Sequence, residues 1–183
     1  MRERILFDDG WLFHRGDVKY PESASKGIMY TSAKTERFHI GPAAVEHFDE
    51  GDSYDNVREY NNERWDKVTL PHDYLFADAA DPNKNCALGF VSYDNGWYRK
   101  KFVVPREDEG RRLTLLFEGV ATQATVYLNG CLMKHSFTGY TPFEVDITDV
   151  VKYGEKNVLA VYVRADEHEG WWYEGAGIYR HVY

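Results

Sequence analysis

The residues from Trp171 to Arg180, W-W-Y-E-G-A-G-I-Y-R, set three aromatic rings in a row beside a carboxylate, two glycines and a guanidinium. Rings of this kind stack on the apolar faces of sugars, and they fill sandwich cores and domain interfaces equally well. Trp171, Trp172 and Tyr173 are therefore read both ways, as sugar contacts and as packing surface. Glu174 adds an acceptor, and Arg180 a fork of N–H donors suited to carbonyls or a carboxylate. Gly175 and Gly177 allow the backbone a sharp turn or a close approach. His72-Asp73 offers a second chemistry, a base beside a carboxylate for proton transfer. Adjacent residues on an extended chain point to opposite faces, so these two side chains need not meet. Asp166, Glu167, His168 and Glu169 could give calcium oxygen ligands, but no EF-hand loop accompanies them and such runs usually form solvated loops. The histidines show no H-E-x-x-H and the cysteines no Cys-x-x-Cys, so no zinc site is indicated. No motif asks for a cofactor.

Elements must hold these groups in place, and the composition says which kind. With 43% hydrophobic and 16% aromatic residues, a chain of 183 residues is a folded domain with a real core. A net charge of −8 argues against nucleic acid, whose phosphates need a basic face. No cluster of Lys or Arg suits an anionic membrane, and no apolar run reaches the length of a membrane span. Cys86 and Cys131 cannot build a disulfide framework, and Met1 to Asp9 has no apolar stretch of the signal-peptide kind. The expectation is a soluble, cytoplasmic protein. The aromatic tail at the end of the chain further suggests a piece cut just before something larger begins.

The second half of the sequence reads as successive strands. Trp97–Val104 is aromatic and β-branched and stops at Pro105; Leu113–Phe117 is short and apolar. Ala124, Val126 and Leu128 alternate with Thr125 and Tyr127, the period of a half-buried strand. Asn129-Gly130 then predicts a tight hairpin, with Leu132–Phe137 as the returning strand. Phe143, Val145 and Ile147 alternate with polar residues, and a short turn or helical stretch at Asp149–Tyr153 leads through Gly154 into Val158–Val163. Trp11–Arg15 and Lys67–Leu70 are the strands of the first half. The polar stretch at 18–63 is read as a loop insertion, in which Ala43–Phe48 could form a helical turn or two. Short strands with turn residues between them and no helical period predict an all-β, antiparallel sandwich.

Leu70–Asp73 (L-P-H-D), Gly96–Arg99 (G-W-Y-R), Gly139–Phe143 (G-Y-T-P-F) and the aromatic tail stand in an order and spacing that resemble the N-terminal domain of family 2 glycoside hydrolases, the β-galactosidase-like members among them. The resemblance runs from Arg4 to Tyr183 apart from the insertion. It implies a jelly-roll-like, galactose-binding-domain-like sandwich filling residues 1–183. It makes His72-Asp73 a structural corner in which the aspartate ties down neighbouring backbone. Glycoside hydrolysis needs two placed carboxyl groups. Family members are retaining enzymes that carry both glutamates in a downstream (β/α)8 barrel, so no catalytic residue is expected here. Trp171, Trp172, Tyr173, Glu174 and Arg180 are the candidate sugar-binding residues, with the barrel of the same chain and a carbohydrate as partners and a homo-oligomer as the full-length assembly. Glu174 stands where many relatives have proline and Trp171 where many have arginine; His135–Gly139 lacks a second glycine before G-Y-T-P-F. A stand-alone carbohydrate-binding module and a purely structural scaffold are the alternatives.

Overall fold

Alternation of apolar and polar side chains is what places these strands, because successive side chains point to opposite faces of the sheet. The computed structural model describes residues 3–18, 42–43, 65–166 and 170–183. Among the described residues eight strands follow in chain order: β1 (Trp11–Arg15), β2 (Asp66–Val68), β3 (Gly96–Val103), β4 (Thr114–Phe117), β5 (Gln123–Leu128), β6 (Cys131–Ser136), β7 (Phe143–Asp146) and β8 (Lys156–Arg164). They form an antiparallel six-stranded sheet in the order β2-β1-β3-β8-β5-β6 and a two-stranded sheet of β4 and β7. The tail widens the smaller sheet: Tyr183 exchanges backbone hydrogen bonds of 2.9 and 3.0 Å with Leu116, and Val182 bridges Phe117.

One buried apolar cluster lies between the sheets. Tyr98, Val126 and Leu159 come from the larger sheet, and Phe117, Phe143 and Val145 from the smaller. Phe117 and Phe143 stack with ring centroids 5.0 Å apart. Ala124, Val126 and Leu128 face this core, as does the set Phe143, Val145 and Ile147, so the alternating segments lie as the sequence predicts. Among the described residues helix is confined to two 3-10 turns, Cys86–Leu88 and Arg106–Asp108. The antiparallel sandwich is thus the observed architecture. Strand ends shift by a residue or two from the periodic reading, and Leu70 leaves β2 to pair its N–H with the Asp8 carbonyl at 3.1 Å. The helical turn expected at Ala43–Phe48, and most of the stretch 18–63, lie outside the described residues; Pro42 and Ala43 form a turn.

The Asn129-Gly130 hairpin joins β5 to β6 with both residues at positive φ. Its asparagine does more than tolerate that conformation. Asn129 is buried, accepts from Val158 N–H at 2.9 Å, and donates to Asn157 Oδ1 at 2.9 Å and to the Val150 carbonyl at 3.2 Å. Asn157 in turn bonds the Lys152 N–H and carbonyl at 2.7 and 2.8 Å, which locks the turn between β7 and β8. A glycine at 129 would keep the turn but take the side-chain acceptor from the Val158 N–H and the side-chain donor from the Val150 carbonyl. Asn129→Gly should therefore cost about 2–4 kcal/mol of unfolding free energy, the scale for orphaned buried polar groups. Urea unfolding checks this, and an unchanged midpoint would reduce Asn129 to a turn residue.

Candidate functional site

The aromatic tail is held at one end of the sandwich. Antiparallel pairing brings the C-terminal ends of β1, β8 and β6 beside the N-terminal ends of β3 and β5, as in Arg15↔Gly96, Gly96↔Val163 and Gln123↔Arg164. Asn95 ties this end together: its side-chain oxygen accepts from Ala165 N–H at 3.1 Å, and its carbonyl accepts from Gly16 N–H at 2.6 Å. Arg15 adds a two-pronged contact to Asp78 at 2.8 and 2.7 Å and a third bond to Asp94 at 3.1 Å. Its charge is thereby committed within the fold, and the carboxylates raise its pKa further, the hydrogen bond to Asp78 being the largest cause.

Across this end the tail is stitched on both sides. His72 N–H donates to the Ile178 carbonyl at 2.8 Å and Tyr74 N–H to the Ala176 carbonyl at 3.0 Å. On the other side Gly177 and Ala121 exchange N–H···O bonds of 3.0 and 2.9 Å. Asp73 fastens the corner. Its Oδ1 accepts from Leu75 N–H at 3.0 Å and Ala176 N–H at 3.1 Å, and its Oδ2 accepts from the Tyr173 hydroxyl at 2.7 Å. Gly175 has φ +72 and would bring a Cβ to 2.6 Å from Asp73 Oδ2; a Cβ on Gly177 would strike the His72 carbonyl and the Tyr98 hydroxyl. Both glycines are required by close approach, as the sequence suggested.

His72 and Asp73 do not form a proton-transfer pair. His72 Nδ1 shares a hydrogen bond of 2.7 Å with the Tyr98 hydroxyl and its ring packs edge-on against Phe13, while Asp73 serves backbone amides and Tyr173. Burial lowers the His72 pKa below 6.5, against the opposing pull of Asp73. Burial and then the bond to Asp73 push the Tyr173 hydroxyl well up, so it stays a donor.

Trp171 is 86% exposed, Trp172 57% and Tyr173 38%. Trp172 Nε1 donates to the Tyr140 hydroxyl at 2.8 Å, and the Tyr179 hydroxyl donates to the Gly139 carbonyl at 2.7 Å. The G-Y-T-P-F loop and the tail thus make one surface, to which Tyr140 contributes a half-exposed ring. Its motif was visible in the sequence; its pairing with Trp172 was not. On the opposite flank Tyr93 packs against Tyr173 at 6.5 Å and its hydroxyl accepts from Glu174 N–H at 3.1 Å. Trp172, Tyr173 and Glu174 therefore stand together. Arg180 lies beyond the stitched run, exposed, beside Gly119 and 5.2 Å from the Tyr179 ring centroid. Asp166 pairs with Arg164 at 3.1 Å, and residues 167–169 of the acidic run lie outside the described residues. Among the described residues the carboxyls with shifted pKa values, Asp81 and Asp146, are both lowered by hydrogen bonds, from Asn83 and Thr148 respectively. A general acid needs the opposite shift.

Two outcomes follow from this geometry. Asp73→Ala removes the acceptor of two backbone amides and should cost about 2–4 kcal/mol, with Tyr173→Phe costing about 1 kcal/mol because only one bond is lost. Chemical unfolding of both variants checks the ranking, and equal losses would show that the hydroxyl, not the amides, matters most. His72 is held neutral in the folded chain while the unfolded chain protonates near its ordinary 6.5. Protons then favour the unfolded state, so stability should fall as pH drops through about 6.5 and continue down to the lowered folded value. His72→Gln should lose that part of the pH slope; an identical slope in variant and wild type would rule this out.

Residues 68–175 match the family described as glycosyl hydrolase 2 galactose-binding domain-like. A β-galactosidase from Bacteroides ovatus is 35% identical across 100% of this chain, which corresponds to 18% of that protein. A β-glucuronidase from Formosa agariphila is 33% identical over 68% of this chain and 14% of its own length. Among solved structures, a β-glycosidase from Bacteroides vulgatus matches 97% of the chain with a TM-score of 0.68 at 30% identity, covering 19% of that chain. This chain therefore spans less than a fifth of each of these relatives. The matched region takes in β3 to β8, the G-W-Y-R and G-Y-T-P-F motifs and the tail as far as Gly175, and the chain belongs to the galactose-binding domain-like family of glycosyl hydrolase 2.

Proposed function

We propose that this chain is the non-catalytic N-terminal sandwich of a longer retaining β-glycosidase, a β-galactosidase first, that hydrolyses O-glycosyl bonds in carbohydrate metabolism. The observation that carries the reading is the end surface of Trp171, Trp172, Tyr173 and Tyr140, exposed although the backbone beneath it is rigidly stitched. Apolar surface left uncovered on a well-ordered scaffold usually marks an interaction site. A catalytic barrel of the same chain is the occupant in this reading, with Trp172 and Tyr173 at the rim of its sugar subsite and the carboxyl pair supplied by the barrel. The domain fills residues 1–183, the stretch 18–63 is an insertion, and the full enzyme is a cytoplasmic homo-oligomer. The free thiols of Cys86 and Cys131 suit a reducing compartment. Support for galactoside over glucuronide rests on the relative that aligns along the entire chain.

The exposed Trp171 ring also favours a second reading, a module that binds sugar by itself. Kinetics separate the two. The 183-residue chain should turn over neither an aryl β-galactoside nor an aryl β-glucuronide. In the full-length enzyme Trp172→Ala should lower kcat/KM by roughly tenfold or more without abolishing kcat, the pattern of a lost binding contact. Turnover by the chain alone that disappears on mutating one of its own acidic residues would overturn the non-catalytic assignment. Tight, saturable galactose binding by the chain alone would instead favour the module.

A further inference from the structure

Phe90 is held at φ +61, in the left-handed region that a bulky side chain rarely adopts. Both of its backbone groups fix it there. Its N–H donates to the Asn85 carbonyl at 3.1 Å, and its carbonyl accepts from Asp81 N–H at 2.8 Å. Glycine would occupy this turn at no steric cost. Yet the phenylalanine ring is not spent on the core: Phe90 joins neither buried cluster and is 38% exposed. Strain of this kind persists only where the surroundings enforce it, and it gathers at binding sites.

The loop around Phe90 is built to stand beside the aromatic tail. Arg15 closes its neck, gripping Asp78 with two nitrogens and reaching Asp94 and the Ser92 carbonyl at 3.1 and 3.2 Å. Inside it Leu88 is buried, and the Asn85 side chain accepts from Ala87 N–H at 3.0 Å. Compact loops packed by their own groups are frequently functional. Gly89, one residue before Phe90, lies so close to the tail that a Cβ would stand 3.1 Å from the Tyr173 ring. Tyr93, three residues after Phe90, packs on the same ring at 6.5 Å. Next to Tyr173 in the tail is Trp172, whose Nε1 donates to the Tyr140 hydroxyl. Phe90, Tyr173, Trp172 and Tyr140 thus form a succession of partly open rings from this loop, over the tail, to the G-Y-T-P-F loop.

Charges beside these rings are already engaged. Asp73 accepts from two amides and Tyr173, Arg15 holds Asp78 and Asp94, and Asp81 accepts from Asn83 and feels Lys84. The succession therefore offers a ligand ring faces and hydroxyl groups, and an anionic sugar would meet the Asp73 and Glu174 carboxylates at its middle. One sugar stacks on one aromatic face at a time, so rings in succession suit several units. We propose that Phe90 is a binding residue, the far contact of a carbohydrate-binding line through Tyr173, Trp172 and Tyr140 whose ligand is a neutral oligosaccharide. This role rests on the carbohydrate reading above and extends it from one subsite to a run of sugar units.

Calorimetric titration of the 183-residue chain tests it without calling on any enzymatic activity. The probes are galactose and glucose, their β-linked tetrasaccharides, and a β-linked oligouronate. One neutral tetrasaccharide should bind about tenfold tighter than its own monosaccharide, and the oligouronate should show no such gain. Phe90→Ala and Phe90→Gly should each lose about fivefold or more of the gain, the scale of one aromatic contact. Both variants lack the ring, but only glycine relieves the backbone, so Phe90→Gly should unfold at the higher urea concentration of the two. That result shows the left-handed turn kept for the ring and not by it. Equal affinity for mono- and tetrasaccharide, a gain that survives both variants, or an equal gain with the oligouronate would overturn the proposal. A gain in the glucose series alone would refute the galactoside reading and leave this one standing.

Discussion

The carboxylate of Asp73 is the constraint on which the exposed surface depends. It gathers two backbone amides and one hydroxyl, from Leu75, Ala176 and Tyr173, into a single charge-accepting point. Bonds to an ionised acceptor are the stronger kind, and leaving buried amides without it would cost more than the bonds themselves contribute. The consequence is geometric. With Ala176 fixed against residue 73 and Gly177 paired with Ala121, the segment before them has no freedom to fold its rings inward. Trp171 and Trp172 stay outside because their backbone is held, not because the core lacks appetite for aromatic surface.

The sandwich explains why this happens at an end and not on a face. Strands that run antiparallel deliver their ends alternately to the two ends of the sheet, and the C-terminal ends of β1 and β8 lie with the N-terminal ends of β3 and β5 at the end that carries the tail. Loops positioned by a rigid scaffold are where binding groups are usually carried. The same strands spend their inward positions on the core, so the groups free to recognise anything are those at strand ends. His72 illustrates the division: one residue from Asp73, it points into the aromatic layer under the corner and takes Tyr98 as partner.

Much of the fold was legible because its signal is local. Period-two alternation in Ala124–Leu128 and Phe143–Ile147 fixes which side is buried, and Asn129-Gly130 demands a hairpin whatever surrounds it. What stayed hidden were pairings between segments distant in the chain. That Asp73 would hold Ala176, 103 positions on, has no local correlate. Neither does the Trp172–Tyr140 bond, although both motifs stood out individually. Asn129 was readable as a turn residue but not as the centre of a buried network, since only the fold brings Asn157 and Val150 to it. Arg99 sat in a recognisable G-W-Y-R strand, yet alternation marks it merely as facing away from the core. It cannot say that this side is also covered.

Two aromatic surfaces therefore coexist with opposite fates. The Trp97–Tyr162–Tyr127 layer spans the middle of a sheet, with Trp97 buried and the two tyrosines half-buried; Trp171, Trp172 and Tyr140 ride on loops and are exposed. A flat apolar sheet face left open is an association hazard with little to specify its partner. A group on stitched loops can recognise shape where its rings are held by hydrogen bonds of their own, as Trp172 and Tyr173 are. Trp172 is aimed by Tyr140 and Tyr173 by Asp73, so the orientation of the open surface is determined before any partner arrives. Such preorganisation lowers the entropy lost on docking, whether the partner is another domain or a sugar ring.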